Sequence, residues 1–423
     1  MIELGLLQAQ VRDLPTPRLS DAERIDLLRG LEELKCIAEA AQAALSADCA
    51  ESQEAKAGDA GVPAERRGRG IASQIALARR ESPHKAQRHL GLARILPTEL
   101  PHTWAAFQAG RITEWRATLI ARETACLALE QRLEIDERLA GDPDRLEAMG
   151  DGEISDAAVK LAAELDPASV AERRRRAEEE RRVSLRPAPD VMSQLSALLP
   201  VKDGVSVFAA LKAAADTAIG QGDPRTRGQV MADTLVARIT GRDPLAEDAD
   251  PGVTVDVILP DTVLTGQSDA GAHIDGYGPI PADLARDLAA RATWLRRLYA
   301  DVHTGALTAM ESKRRLVPDG MAKFLRFRDR TCRTPWCDAP VRHSDHVQSV
   351  EEHGPTSVAN AQGLCQACNH AKQAPGWTAR PRPGPVHTVQ TTTPTGHTYT
   401  STAPPARERV WVETEPGTWT LIA

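Results

Sequence analysis

Apolar positions recur at helical spacing along the first third of the chain. Between residues 19 and 50, Leu27, Leu28, Leu31, Leu34, Ile37 and Ala38 fall on one side of a 3.6-residue period, and Ser20 with Glu23 three residues later forms a capping-box start signal. Residues 52–70 (SQEAKAGDAGVPAERRGRG) are Gly-rich and charged and read as a loop. Helical patterns resume at 71–80, 83–96, 98–109 and 113–129, with Pro83 and Pro97 as starts and Gly110 as a stop. Residues 169–182 (SVAERRRRAEEERR) place Arg174, Arg175 and Arg176 each four residues before a glutamate, which suits a solvated connecting helix better than a DNA-contacting one.

Ala-rich helices are expected at 205–219 and 225–240. The period then changes: Val253, Val255, Val257 and Leu259 alternate with Thr254, Asp256 and Ile258, which predicts a strand. Residues 274–281 (IDGYGPIP) read as a turn-rich link and 281–299 as helix again. After Trp377, the Thr- and Pro-rich run VHTVQTTTPTGHTYTSTAPP excludes a helix and leaves short strands with turns, or a poorly ordered tail. The expected organisation is a mostly α N-terminal region, 1–165, a helical and mixed middle segment, 166–310, a small C-terminal module, 311–382, and a tail, 383–423.

Composition narrows the class. The chain has 423 residues, room for roughly two to four domains. A hydrophobic share of 42% excludes global disorder, and an aromatic share of only 3% means that Ala, Leu, Val and Ile must build the core. The net charge of −7 excludes a uniformly basic coat but not a local basic patch. The start, MIELGLLQAQVRDLP, lacks the basic-then-apolar pattern of a signal peptide, and no apolar run approaches the roughly 18 residues of a membrane span. A cytoplasmic protein without membrane partners is the expectation.

The seven cysteines are unevenly placed. Cys36, Cys49 and Cys126 are scattered, whereas Cys332 and Cys337 are separated by four residues and Cys365 and Cys368 by two. Both spacings belong to tetrahedral zinc sites, and a closed four-Cys set leaves no open coordination position, so structural Zn²⁺ is expected. Such an ion would fasten a segment too small and polar to fold alone.

Between and after these knuckles lie Arg342-His343-Ser344-Asp345-His346, then Gly354-Pro355-Thr356, Asn360 and Asn369-His370-Ala371-Lys372. In this order the elements resemble the HNH endonucleases, also called ββα-metal or His-Me finger nucleases, over residues 324–377. The stretches Leu96-Pro97 to Gly110-Arg111-Ile112, TRGQVMADTLVAR (226–238) and GYGPIPADLAR (276–286), with RTPWCDAPVRHSDH and GLCQACNHAKQAPGW, are similar to actinobacterial HNH proteins carrying an N-terminal domain of unknown function, among them the mycobacterial thirteen-E-twelve repeat proteins.

The resemblance implies a zinc-fastened ββα-metal module that hydrolyses DNA phosphodiesters to 5′-phosphate and 3′-hydroxyl ends. It assigns His346 as general base, Asn360 as the residue holding the loop that orients His346, and Asp345 as ligand to a divalent ion, Mg²⁺ or else Mn²⁺ or another. Asn369 is the favoured second ligand, because oxygen suits Mg²⁺; His370 is the alternative and would favour softer ions. Neighbouring helix residues point about 100° apart, so the two are not expected to ligate together. Adjacent strand residues also face opposite ways, so Asp345 and His346 can serve one phosphate only if the strand twists or ends there. His343 is read as a spare base or a plain strand residue, and Trp336 and Trp377 as packing for the module.

Over 313–382 the chain carries twelve Lys and Arg against six acids, a local excess of +6. Lys372, Arg342 and Arg330 are the candidates for phosphate contact. The helical region is expected to supply recognition or a homodimer contact. Two rival readings stand beside the nuclease: a non-catalytic zinc-knuckle nucleic-acid-binding protein, and a scaffold acting through residues 1–165.

Overall fold

The computed structural model describes residues 4–14, 19–241, 256–290, 292, 298–300, 307–310, 317–355, 357–405, 410–415 and 418–422. The chain divides into two compact units, Met1–Arg173 and Arg174–Ala423. Among the described residues it is mostly helical, with small antiparallel sheets confined to the second unit.

The first unit is all helix: α1 (Leu4–Arg12), α2 (Asp21–Asp59), α3 (Ile71–Arg79), α4 (Pro83–Glu99), α5 (Pro101–Gln108), α6 (Glu114–Thr124), α7 (Leu129–Ala140), α8 (Pro143–Ala148), α9 (Asp151–Leu165) and most of α10 (Pro167–Glu179). The start of α2 follows the sequence rule: Ser20 Oγ accepts from the Glu23 amide at 3.3 Å and Glu23 returns a bond to the Ser20 amide at 2.7 Å. Its end does not. The helix runs through 52–59 instead of ending near residue 51, because Glu51 to Ala57 contain no breaker and Ala50, fully buried, packs against Ile71, Ile75 and Leu90. The expected loop shrinks to 60–70.

Two further boundaries differ from the pattern. Pro97 lies inside the last turn of α4, and Pro101 opens α5. Residues 125–128 interrupt the helix expected over 113–129, and Leu127 there is buried. Asp136, wholly buried on α7, closes the exposed start of α5 by accepting from the amides of His102 and Thr103 at 2.6 and 3.0 Å and from Thr103 Oγ1 at 2.6 Å. The core gathers Leu96, Leu100, Phe107, Ile112, Ile120, Leu146 and Ile154 around the alanine face of α2. Gly110 stops α5 as expected, with φ 77°, and a Cβ there would meet the Glu33 carbonyl at 2.8 Å, so it also sets how closely α2 approaches.

The second unit begins with a hairpin that the sequence reading did not anticipate, β1 (Arg182–Ala188) and β2 (Met192–Leu198), followed by the expected helices as α11 (Val201–Gly220) and α12 (Arg227–Thr240). Of the strand expected over 253–259, residues 253–255 lie outside the described residues and Val257–Ile258 form β3. After the short α13 (Asp261–Leu264), the link at 274–281 proves to be a hairpin, β4 (Ala272–Ile274) and β5 (Gly278–Ile280), with β4 pairing to β3. The helix expected over 281–299 is α14 (Ala282–Ala290); Leu298–Ala300 is instead a strand, β6, paired with β7 (Leu307–Met310).

Next come α15 (Val317–Asp329), β8 (His343–His346), β9 (Ala361–Leu364) and α16 (Gln366–Lys372). The Thr-rich tail forms an ordered three-stranded antiparallel sheet, β10 (Thr378–Arg382), β11 (Thr388–Thr392) and β12 (Thr398–Thr402), and a hairpin, β13 (Val410–Glu415) with β14 (Thr418–Ile422). That three-stranded sheet runs across residue 382, the expected end of the module, and Arg333 ties it to the cysteine knuckle by donating to the carbonyls of Ser401 and His387 at 2.7 and 3.3 Å. Among the described residues, no helix is long and apolar enough to cross a membrane.

Candidate metal centre and adjoining cleft

Two turns and a helix start bring the four cysteines together. Cys332 donates its amide to the Ala339 carbonyl at 2.9 Å, which folds the first knuckle back, and Trp336 within it takes a left-handed φ of 59°. Cys365 caps α16, its sulfur accepting from the Cys368 amide at 3.4 Å. All four residues are buried, and their sulfurs lie within 4.8 Å of one another. Cys337 and Cys365 approach to 3.8 Å. Four sulfurs each about 2.3 Å from one tetrahedral ion stand roughly 3.8 Å apart, so the set fits a metal ion such as zinc.

The thiol electrostatics agree. Cys365 is held far below the ordinary thiol range by hydrogen bonds from Cys332, Cys337 and Cys368, and Cys332 is lowered as well. Cys337 and Cys368 are pushed far up by the same crowding, Cys332 being the largest contributor to each. Four sulfurs this close cannot all ionise without a cation among them.

The cleft is built on the hairpin that leads into α16. β8 and β9 pair antiparallel with His343 opposite Leu364, Ser344 opposite Gly363, Asp345 opposite Gln362 and His346 opposite Ala361, and α16 follows directly. A buried brace fixes this hairpin to α15. Arg328 grips Asp329 through Nε and Nη2 at 2.7 and 2.9 Å and donates to the carbonyls of Val358 and Ala361 at 2.8 and 2.7 Å. Asp329 in turn accepts from the Gly363 amide at 2.7 Å. The sequence reading missed this brace and counted both arginines, Arg328 and Arg333, toward a DNA-facing patch. The available signal was the Arg328–Asp329 dipeptide beside Phe324, Leu325 and Phe327, because an Arg or Asp drawn into a core is almost never buried unless paired.

His346 is the last residue of β8, so the strand ends where the alternation rule would have turned it away from Asp345. Asp345, His346 and Ser344 line a cleft of about 90 Å³ with Met321, Ala322, Leu325 and Ala361. Asn360 is 2% exposed and works as a staple: its Oδ1 accepts from the Gln348 amide at 3.0 Å, and its Nδ2 donates to the carbonyls of Gln348 at 3.0 Å and Pro355 at 2.8 Å. The Asn360 carbonyl accepts from the Val347 amide at 2.7 Å, immediately after His346. Gly354 is obligatory in this loop, because a Cβ there would stand 2.0 Å from the Gln348 carbonyl oxygen and 2.8 Å from Asn360 Nδ2.

On α16, Asn369 and His370 diverge. Asn369 is buried and its Oδ1 has no hydrogen-bond partner. His370 is exposed, with its ring edge-on to His343 at 6.4 Å. Lys372, three residues after Asn369, reaches Asp345 Oδ2 at 2.5 Å and also donates to the His346 carbonyl. The ammonium expected to meet a phosphate is therefore spent on Asp345. Arg330 donates to the Pro405 carbonyl at 2.8 Å, and Arg342 is exposed. Of the other basic side chains, Lys323 pairs with Asp256 at 2.9 Å, Arg326, Arg380 and Arg382 are exposed, and Lys313, Arg314 and Arg315 lie outside the described residues. His387 and His273 are both lowered to about 4, first by burial and then by Arg328 and Arg330 respectively.

Residues 28–329 match the family described as Domain of unknown function (DUF222). The chain belongs to that family. The matched region ends at Asp329, the last residue of α15, so the DUF222 part supplies the brace that holds β9. Two Mycobacterium tuberculosis relatives are similar: uncharacterized protein Rv3776, 31% identical over 217 residues (42% of this chain and 40% of the relative), and uncharacterized protein Rv2100, 34% identical over 128 residues (30% and 22%). The chain thus spans two fifths or less of the length of these curated relatives. No solved structure matches it.

Proposed function

We propose that this DUF222 protein is a metal-dependent endonuclease of the HNH type that hydrolyses DNA phosphodiester bonds, with β8, β9 and α16 as its ββα-metal unit and Zn²⁺ as the structural ion at Cys332, Cys337, Cys365 and Cys368. One observation carries the reading. Asn369 holds a buried oxygen without a partner on the helix face that also carries Lys372, and the Lys372 ammonium rests on Asp345. On this reading Asp345 and Asn369 would offer a divalent ion two oxygen donors of the kind that suit Mg²⁺ or Mn²⁺. Exposed His370, turned toward His343, is the poorer ligand.

A divalent ion held by Asp345 and Asn369 would supply charge neutralisation on the phosphate and on the departing oxygen. The chain's own groups do the rest. His346 takes the proton of the attacking water at a ring nitrogen, a task suited to an imidazole near neutral pH. Asn360 keeps the 348–355 loop closed and, through the Val347 amide, fixes the backbone beside His346. Arg342 meets the DNA backbone. Lys372 would have to release Asp345 for a divalent ion to be held there, and its charge would then be available to the phosphate.

The rival reading, a zinc-knuckle protein that binds nucleic acid without cutting it, draws on the same contact: an Asp345 neutralised by Lys372 needs no metal. Divalent-ion titration of the purified chain, followed by Mn²⁺ relaxation, separates the two. Binding that disappears in Asp345→Ala supports the nuclease. Unchanged Mn²⁺ binding in that variant, or none in the wild type, refutes it.

A further inference from the structure

Residues 353–407 contain no aspartate or glutamate, a run of 55 positions in a chain where 59 of 423 residues are acidic. At the chain's overall frequency about eight acids would fall there. The same run holds Lys372, Arg380, Arg382 and Arg407. It covers the second knuckle, α16 and the whole β10–β12 sheet.

Strand register sorts the residues of that sheet between its two sides. Arg380, Gln390 and Thr400 stand opposite one another in one row, Arg382, Thr388 and Thr402 in another, and a third row is threonine throughout. Directly opposed residues share a face, as do residues two apart along a strand, so these rows lie on one side. The rows between them point the other way. That other side is the inner one: Ala379 and Val389 are 6% and 2% exposed and pack on Val347, the residue after His346. His387, just before β11, donates Nε2 to the Ala359 carbonyl at 3.1 Å, beside Asn360. On the outer side both arginines and the β12 threonines are exposed, and the central-strand residues lie half-buried between them.

We propose that this outer face is a contact surface for the phosphate backbone of DNA, held beside the strand that carries His346. The chemistry is that of backbone recognition: guanidinium, amide and hydroxyl groups are the donors that phosphate oxygens take up. Arg380 and Arg382, two residues apart on one strand, are spaced about 7 Å along it, an arrangement that serves successive phosphates. Charge points the same way. The face carries two arginines and no acid, in a chain whose net charge is −7. No Leu, Ile, Val or aromatic side chain stands on it, so it gives a protein partner no apolar anchor and a bilayer nothing to insert. Arg328 and Arg333 turn inward and Lys372 rests on Asp345, so the exposed cations of this sheet are the ones placed to track a backbone. The proposal rests on DNA as the ligand, as in the reading above, but not on its cleavage.

The test is fluorescence anisotropy of the full chain with a labelled DNA duplex, over about 50–200 mM salt and without added divalent ion, so that binding is read without cutting. Arg380→Gln with Arg382→Gln is expected to weaken binding at least ~10-fold. It is also expected to flatten the slope of log affinity against log salt by about 1.8, at roughly 0.9 per phosphate contact. Gln390→Glu, which sets an acid between the rows of cations, is expected to weaken binding at least ~3-fold. Circular dichroism and bound zinc should stay unchanged in both. Arg182→Gln with Arg186→Gln removes the same charge from the exposed β1–β2 hairpin and is expected to stay within ~2-fold of the wild type. Unchanged binding in the sheet variants, or an equal loss in the hairpin control, overturns the proposal. A wild type that ignores DNA and binds polyglutamate would assign the face to an acidic protein and overturns it too. Salt-dependent binding that the sheet variants lose, without nicking by the wild type, removes the nuclease reading and leaves this one; nicking with full binding in the sheet variants does the reverse.

Discussion

Replacing Asn360 with alanine isolates the loop staple from the chemistry around it. The wild-type side chain makes three hydrogen bonds in a site only 2% exposed: one from the Gln348 amide and two to the carbonyls of Gln348 and Pro355. Each such bond contributes about 1 kcal/mol net, and a buried group left without a partner costs about 1–3 kcal/mol. The variant strands a backbone N–H and two carbonyls, and part of that cost is recovered as the loop opens to water, so the net loss is about 2–4 kcal/mol. At 1.4 kcal/mol per decade, local opening becomes ~30- to ~1,000-fold more frequent. Native-state hydrogen exchange reads this at the amides of Gln348, Glu352 and Gly354, the last two of which donate to Ser349. A global unfolding midpoint would not, because opening of one loop is a local event that global melting does not resolve. Asn360→Asp is expected to act in the same direction, since a carboxylate oxygen would face two carbonyls in place of the amide donor. Exchange faster by less than ~3-fold at these amides, or faster equally across β10–β12, would refute the staple and with it the account of how His346 is held.

The other predictions follow from separate contacts. Cys365→Ser is expected to lower bound zinc from one equivalent to below about a tenth and to loosen β8–β9, as metal analysis with limited proteolysis would show; full zinc and native protection would contradict the four-thiolate site. Lys372→Met removes the cation on Asp345 and is expected to tighten Mn²⁺ binding roughly tenfold in a relaxation titration, since a like charge at hydrogen-bond distance opposes the ion. Asp136→Ala strips the start of α5 of its acceptor and is expected to destabilise the first unit by about 3 kcal/mol in urea denaturation, with the second unit unaffected. His273 and His387, lowered to about 4 in the folded protein, are neutral there while an unfolded chain begins to take up protons near 6.5. Between about pH 4 and 6.5 the unfolded state thus binds more protons, so stability rises with pH across that window; His387→Gln should flatten the curve measured by thermal shift.

The capping box and the two cysteine knuckles were legible in the sequence because each reads from positions a few residues apart. The β1–β2 hairpin escaped because its turn breaks the sequence rule. Asp190 and Val191 both adopt left-handed φ, 59° and 60°, in the place where Asn-Gly or Asp-Gly normally signals such a turn, and a β-branched residue there is costly. The reach of α2 past residue 51 escaped because Ala50 is held by residues 71–90, a contact that no local pattern contains. Charge counting failed for a related reason: Arg328 and Arg333 look like surface cations until Asp329 and the tail carbonyls are seen to surround them. The Thr-rich tail could be narrowed only to strands or disorder, since what ties it to the knuckle, Arg333, lies more than fifty residues earlier in the chain.

The nuclease proposal meets its most direct test in plasmid nicking by the purified full chain with Mg²⁺ and with Mn²⁺, beside His346→Ala prepared identically. The account predicts conversion of supercoiled to open-circular DNA that requires the ion and is lost at least ~100-fold in the variant, the loss expected for a general base. Equal nicking by both proteins, or none by the wild type with either ion, would contradict it.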